Sequence, residues 1–202
     1  MSARLSKADR RKAIVDTAVQ LFAEVGFRGG TTRELARRVG VSEPVLYEHF
    51  ATKRDLYAAI IDSATHVDFA EARRQLEKRA AGNDPEGFFT HLASRIVEHH
   101  DKYPNYLRLI LFSALEKHEL AELCFESHAI VIHQIVTGFI QRQVALCAFR
   151  PVDAPLAARS FMGMVLHYSI FDQHFGFKLV RSSKKRAIAT MVDIFLRGLK
   201  SE

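Results

Sequence analysis

The sequence predicts an all-α chain of about nine helices, a small N-terminal three-helix cluster followed by a larger helical domain. Three observations carry this expectation. Apolar residues recur at helical spacing through most of the 202 residues, helix-start and helix-stop residues punctuate them, and no stretch alternates as a half-buried strand does. The first helix runs from about Asp9 to Val25, with Ile14, Val15, Ala18, Leu21, Phe22 and Val25 on one face, and Gly26 ends it. Thr31 and Glu34 fit a capping box that starts a short second helix. Leu35, Ala36 and Val39 give that helix its apolar face, and Gly40 supplies the left-handed residue that usually follows a helix end. Ser42 caps a third helix in which Val45, Leu46 and Phe50 turn inward. Thr52 and Asp55 form another box at the start of a long helix reaching about Ala80.

Gly82-Asn83-Asp84-Pro85 then breaks the chain, and a helix from Pro85 to His100 follows. After Tyr103-Pro104 comes a helix from Asn105 to Lys117, and then one from Glu119 to about Ala148 that is apolar around much of its girth. Arg150 to Pro155 is the last strong break. Two helices remain, about Asp153–His174 and about Ser183–Lys200; the last carries Ile188, Met191, Val192, Phe195 and Leu199 in one stripe. No internal repeat or low-complexity segment interrupts this order.

Composition narrows the function. With 48% hydrophobic residues the chain can build a core, and disorder is excluded as its main state. The net charge is +6, and residues 1–60 hold eleven Lys/Arg against seven Asp/Glu, a net +4 in under a third of the chain. A basic module of this kind suits a polyanion. The two cysteines, Cys124 and Cys147, offer no disulfide framework, which points to a reducing cytoplasm. No run approaches the roughly 18 uninterrupted apolar residues of a membrane span, so no membrane partner is expected.

Residues 31–53, TTRELARRVGVSEPVLYEHFATK, concentrate the chemistry. Two short helices crossing through a glycine turn form a helix-turn-helix, whose second helix enters a DNA major groove. With the preceding AIVDTAVQLFAEVGF and the Lys53-x-x-Leu56 that follows, the segment resembles the TetR family of bacterial transcriptional regulators, closely over about residues 10–60 and in general layout beyond. The resemblance implies a homodimeric repressor with a helix-turn-helix domain at 1–54 and an effector-binding and dimerisation domain at 55–202. It implies double-stranded DNA with an inverted repeat and a small apolar or aromatic effector as partners. Residues 1–8 would be an arm that reaches a minor groove or frays.

Carried over position by position, Tyr47 and His49 would touch phosphates or bases. Lys53 would add its charge to a helix N-terminus that already favours phosphate. Thr31, Thr32 and Arg33 would meet phosphates at the other helix start. Base readout would fall to Glu43, Pro44, Val45 and Glu48 beside the cap residue Ser42. Glu43 departs from the basic or small polar residue frequent in the family; a carboxylate accepts from cytosine N4 but repels phosphate. Phe88, Phe89, Leu92, Tyr106, Phe112, Phe125, His128, Met162 and His167 would wall an effector pocket. Phe161, Val165, Tyr168, Met191 and Phe195 would meet a symmetry mate in a four-helix interface.

Other chemistries are weaker. Cys124 and His128 share a helical face but make two metal ligands where zinc takes four protein or solvent ligands, so no metal is expected. There is no phosphate loop, nucleophile elbow or acid/base pair, hence no catalytic set and no cofactor. A DNA-binding regulator without an effector, controlled by a partner or by concentration, is the nearest alternative. A helical enzyme is more distant, and a structural scaffold leaves the coincidence of charge and motif in one segment unexplained.

Overall fold

The computed structural model describes residues 6–177 and 180–200, with the backbone alone described for 64–68 and 173–174. Among the described residues ten α-helices follow one another: α1 (Lys7–Gly29), α2 (Thr32–Val39), α3 (Glu43–His49), α4 (Lys53–Ala80), α5 (Pro85–Lys102), α6 (Pro104–Leu115), α7 (Glu119–Cys124), α8 (Ile130–Ala145), α9 (Ala154–Ser169) and α10 (Lys184–Leu199). Among the described residues there is no strand, only an isolated bridge between Phe149 and Lys200. The tenth helix arises where one was expected. A π-helical turn at Phe125–Ala129 interrupts the stretch from Glu119 onward and divides it into α7 and α8. A second π turn, Ile170–His174, ends the stretch that α9 begins. Such insertions shift the helical phase and leave no composition signature.

The expected caps are present with two exceptions, Ser42, whose side chain makes no capping hydrogen bond, and the box at α2. Thr52 and Asp55 form a reciprocal box: the Asp55 N–H donates to the Thr52 hydroxyl and the Thr52 N–H donates to the Asp55 carboxylate. At α2 the Glu34 N–H donates to the Thr31 hydroxyl, but Glu34 does not reach back, because Arg37 and Arg38 hold its carboxylate instead. Gly40 ends α2 at φ 76°, with its N–H and that of Val41 donating to Arg37 and Ala36 carbonyls. This is the left-handed helix stop the sequence called for.

The chain divides into two compact units, 1–66 with 105–126 and 67–104 with 127–202. Neither edge lies at residue 54, because α4 continues unbroken past it and α6 and α7 join the first unit. The core of the first unit is built by Ile14, Val15, Leu21, Phe22, Leu35, Leu46, Phe50, Leu56 and Ile60, all almost fully buried. In the second unit five phenylalanines interlock: Phe88 stacks on Phe139 at 4.0 Å between ring centroids, and Phe89 packs against Phe161 at 4.7 Å and Phe195 at 4.9 Å. Burying each such ring is worth about 1.5–3 kcal/mol.

One described helical stretch, Glu119–Ala145, is long and apolar enough by length and composition to cross a bilayer, an average property that the search for an uninterrupted apolar run missed. From this stretch Val136, Phe139 and Ile140 contribute to the core of the second unit.

Candidate DNA-binding interface

The three-helix head assembles from its caps. Ser6 starts α1 by accepting from the Asp9 N–H; the arm expected before it falls largely on residues 1–5, outside the described residues. Phe50 lies buried beneath Arg11, whose guanidinium sits 4.3 Å from the ring centroid. Leu46 and Phe50 thereby anchor α3 from below. Pro44, Tyr47 and Glu48 are exposed, and the spacing i, i+3, i+4 puts them on one face. That face offers a ring, a phenol and a carboxylate to whatever α3 approaches.

The flanks offer donors. Arg33 is exposed in the first turn of α2, and Lys53 is exposed at the first position of α4. Positive helix ends and side-chain cations reinforce each other toward an anion. Much of the remaining basic charge is already engaged. Arg37 and Arg38 hold Glu34, their hydrogen bonds drawing its carboxyl down to about 2. Arg38 also reaches Glu24 at 2.7 Å, Lys12 pairs with Asp16 at 2.6 Å, and Arg54 lies 3.6 Å from Glu119.

The expected contacts fall into groups. Arg33, Ser42, Pro44, Tyr47, Glu48 and Lys53 are exposed. The Ser42 side chain makes no capping hydrogen bond, so the carbonyl and not the hydroxyl begins α3. Thr31 is exposed, but its hydroxyl is engaged in capping. The Thr32 hydroxyl donates to the Glu43 carboxylate, and both side chains are half-buried. Glu43 thus braces α3 against α2, and this engagement limits its part in base readout. Val45 and His49 are half-buried, and the His49 Nδ1 is enclosed.

Sequence spacing missed a second brace within the same unit. Gly26 takes φ 69°, so α1 kinks there, and the Phe27 and Arg28 N–H groups beyond it both donate to the Glu116 carboxylate at 3.0 Å. His118 stacks on Phe27 at 3.9 Å and meets Tyr57 edge-on at 4.7 Å. Burial lowers the His118 imidazole from its ordinary value; Glu119 and Glu116 oppose the shift and Lys53 adds to it. Burial, with smaller contributions from Glu119 and Tyr47, pushes the Tyr57 hydroxyl up to about 12. Nearly ninety residues separate Phe27 from Glu116, and no local pattern marks the pairing.

The other expected sites do not assemble as foreseen. Phe88, Phe89 and Leu92 are close-packed core of the second unit, whereas Tyr106, Phe112 and Phe125 belong to the first. Met162 is half-buried, and His167 is exposed with its ring stacked on Phe171. His128 packs edge-on against Phe69 at 4.1 Å. Cys124 lies 3.2 Å from the Tyr106 hydroxyl, and burial raises both groups from their ordinary values. Among the described residues no three metal-ligating side chains come together. A cavity of about 790 Å³ on α5 and α10, lined by Val97, Phe149, Ile188 and Val192 with Glu86 and Lys185, contains none of the nine expected effector residues.

The expected interface stripe also needs correction. Phe161 and Val165 are fully buried within the single chain, so they have no surface to offer a symmetry mate. Tyr168, Met191 and Phe195 are half-buried. Outward on the same two helices stand Leu156, 59% exposed, and Ile194, 61% exposed, beside a shallow hollow of about 440 Å³ that Met164 and Phe195 also line.

Comparison with known proteins settles the kinship. Residues 14–60 match the model of bacterial regulatory proteins of the tetR family. Residues 97–198, half of the chain, match the C-terminal domain of the AefR-like transcriptional repressors. The chain belongs to the TetR family. Its helix-turn-helix is therefore the DNA-binding head of a TetR-family transcriptional regulator. The tetracycline repressor protein class C of Escherichia coli is 46% identical over 59 residues, 29% of this chain and 27% of that protein. The transcriptional activator FasR of Mycolicibacterium smegmatis is 40% identical over 65 residues, 32% of this chain and 29% of that one. These matches thus span under a third of the relatives' lengths. The fold extends further: the structure of AibR in complex with isovaleryl coenzyme A and operator DNA matches with a TM-score of 0.65 at 22% identity, covering 92% of this chain and 97% of that one.

Proposed function

We propose that this TetR-family regulator is a cytoplasmic homodimeric repressor that binds an inverted-repeat operator through α3 and is released by a small apolar effector. The observation that carries the reading is the outward face of α3. Pro44, Tyr47 and Glu48 lie exposed on a buried Leu46–Phe50 footing, with the donors Arg33 and Lys53 at the neighbouring helix starts. Base edges would meet α3, and phosphates would meet the flanks. Residues 1–54 act as the head, and 55–202 hold the effector and the partner subunit.

Dimerisation is assigned to the outer face of α9 and α10, through Leu156, Met164, Ile194 and Phe195. Twofold symmetry then sets two recognition helices about one helical turn, roughly 34 Å, apart. Repression is favoured by the AefR-like repressor description of the C-terminal match, although one N-terminal relative is an activator. The effector reading is supported by the apolar stretch Glu119–Ala145, most of whose apolar residues are half-buried rather than fully enclosed. AibR, a fold neighbour, has been captured with an acyl coenzyme A. An apolar acyl or aromatic compound is the class to screen.

The test is selection of randomised duplex DNA by the purified protein at physiological salt. Enrichment of an inverted repeat supports the reading. Retention without a shared sequence reduces the head to a phosphate binder, and no retention removes the operator altogether. If a repeat is found, thermal shift against acyl and aromatic compounds separates the effector-controlled form from a regulator governed by concentration or a partner, since a specific ligand raises the melting temperature.

A further inference from the structure

We infer that Glu116 is a positioning residue for operator binding: from the end of α6 it locks the glycine turn that aims the α2 edge of the head. The inference rests on the DNA-binding reading above and lies wholly within the first compact unit.

The turn Gly26–Gly30 leads directly into Thr31, Thr32 and Arg33. Because Gly26 leaves helical geometry at φ 69°, the N–H groups that follow lose the acceptors a straight α1 would give them. One oxygen of Glu116 receives two of them, from Phe27 and Arg28, each at 3.0 Å. Bonds from N–H to a carboxylate are among the stronger hydrogen bonds. A methyl group added at Gly26 would lie 2.4 Å from the other Glu116 oxygen, so the carboxylate fills the space a side chain would need. At the far end of the turn the Gly30 N–H donates to the Gly26 carbonyl, and Phe22 closes over Gly30. The turn is therefore clasped from both sides.

The clasp itself is held firmly. Just beyond α6, Lys117 takes φ 53°, a left-handed conformation that non-glycine residues avoid. The Lys117 and His118 N–H groups bond back to Ala114 and Ser113 carbonyls. The Ser113 hydroxyl donates to the His118 carbonyl. This fixed end directs Glu116 at the turn and His118 onto Phe27, which itself stacks on the buried Phe22 at 4.7 Å. Glu119 extends the same segment to Arg54, one residue beyond the phosphate candidate Lys53. Two polar contacts, from Glu116 and Glu119, and the His118 ring stack between them thus brace both flanks on which phosphate binding depends.

The experiment compares unsubstituted protein, Glu116→Ala and Glu116→Gln by fluorescence anisotropy against a duplex recovered in the selection, across a salt series. Glu116→Ala should raise Kd about tenfold, in line with the loss of a charge-assisted hydrogen-bonded pair, with the salt slope unchanged because no phosphate contact is removed. Glu116→Gln keeps an oxygen acceptor and should return within about threefold of the original Kd. A Glu116→Ala Kd within twofold of the original, or a Glu116→Gln protein as weak as Glu116→Ala, would overturn the assignment. If Glu116→Ala does not fold, amide exchange of the unsubstituted protein decides. Binding of the duplex should slow exchange at Phe27 and Arg28, and unchanged exchange there refutes the role. Failure of the unsubstituted protein to bind any duplex would refute the DNA-binding reading and take this inference with it.

Discussion

The head and the α9–α10 pair are both built from amphipathic helices, yet their sequences speak about different things. In the head, cap residues, a glycine stop and a lysine at a helix start are local devices whose geometry is set within a few residues. Naming Thr52, Asp55, Gly40 and Lys53 from sequence therefore places them correctly. On α9 and α10 the only signal is an apolar stripe. Periodicity tells which face is buried but not against what: Phe161 and Val165 satisfy the stripe by packing into their own subunit, and Leu156 and Ile194 stand exposed outside it. An interface residue is marked by exposure in the single chain, which no periodicity records.

The sharpest way to break this contrast is Phe161→Ala. The ring packs against Phe89 and Phe195, so its removal should lower subunit stability by about 3–5 kcal/mol in chemical denaturation. A variant that is merely monomeric at full stability would return Phe161 to the interface. The converse is Leu156→Asp. It should shift the proposed dimer toward monomer in analytical ultracentrifugation, raising the dissociation constant on the order of tenfold or more, with circular dichroism retained. A dimer left intact would move the interface elsewhere.

Lys53→Ala tests the head's flank. Binding should weaken for all sequences alike, and the slope of log affinity on log salt should flatten by about one unit; an unchanged slope would mean the ammonium meets no phosphate. The smallest effect is expected at the end of α6. Lys117→Gly relieves a left-handed lysine and should raise stability by up to about 1 kcal/mol, read as a higher unfolding midpoint. A lower midpoint would show that the lysine side chain contributes more than its backbone conformation costs.

The legibility of the molecule follows the same division. The all-helical class, the order of elements and the exposed face of α3 were readable because helix periodicity and caps are short-range. The π turn at Phe125–Ala129 was not, since one extra residue in a helical turn changes phase without changing composition. Nor was the Thr32–Glu43 brace, a hydroxyl and a carboxylate that each look like DNA ligands when read separately. Glu116 lay deepest, because its partners are backbone N–H groups and any residue type supplies those. Aromatic residues scattered from Phe88 to His167 suggested a pocket, but close packing of phenylalanines gives the same composition as a cavity wall.

The central claim is that α3 reads base pairs through its exposed face, and the most direct measurement is to select randomised duplexes in parallel with the unsubstituted protein and Glu48→Ala. The account predicts an inverted repeat from both, with a changed base preference at the same position of each half-site in the variant, worth about 1–3 kcal/mol of discrimination. Identical preferences with only a uniform loss of affinity would contradict it, placing Glu48 outside the groove.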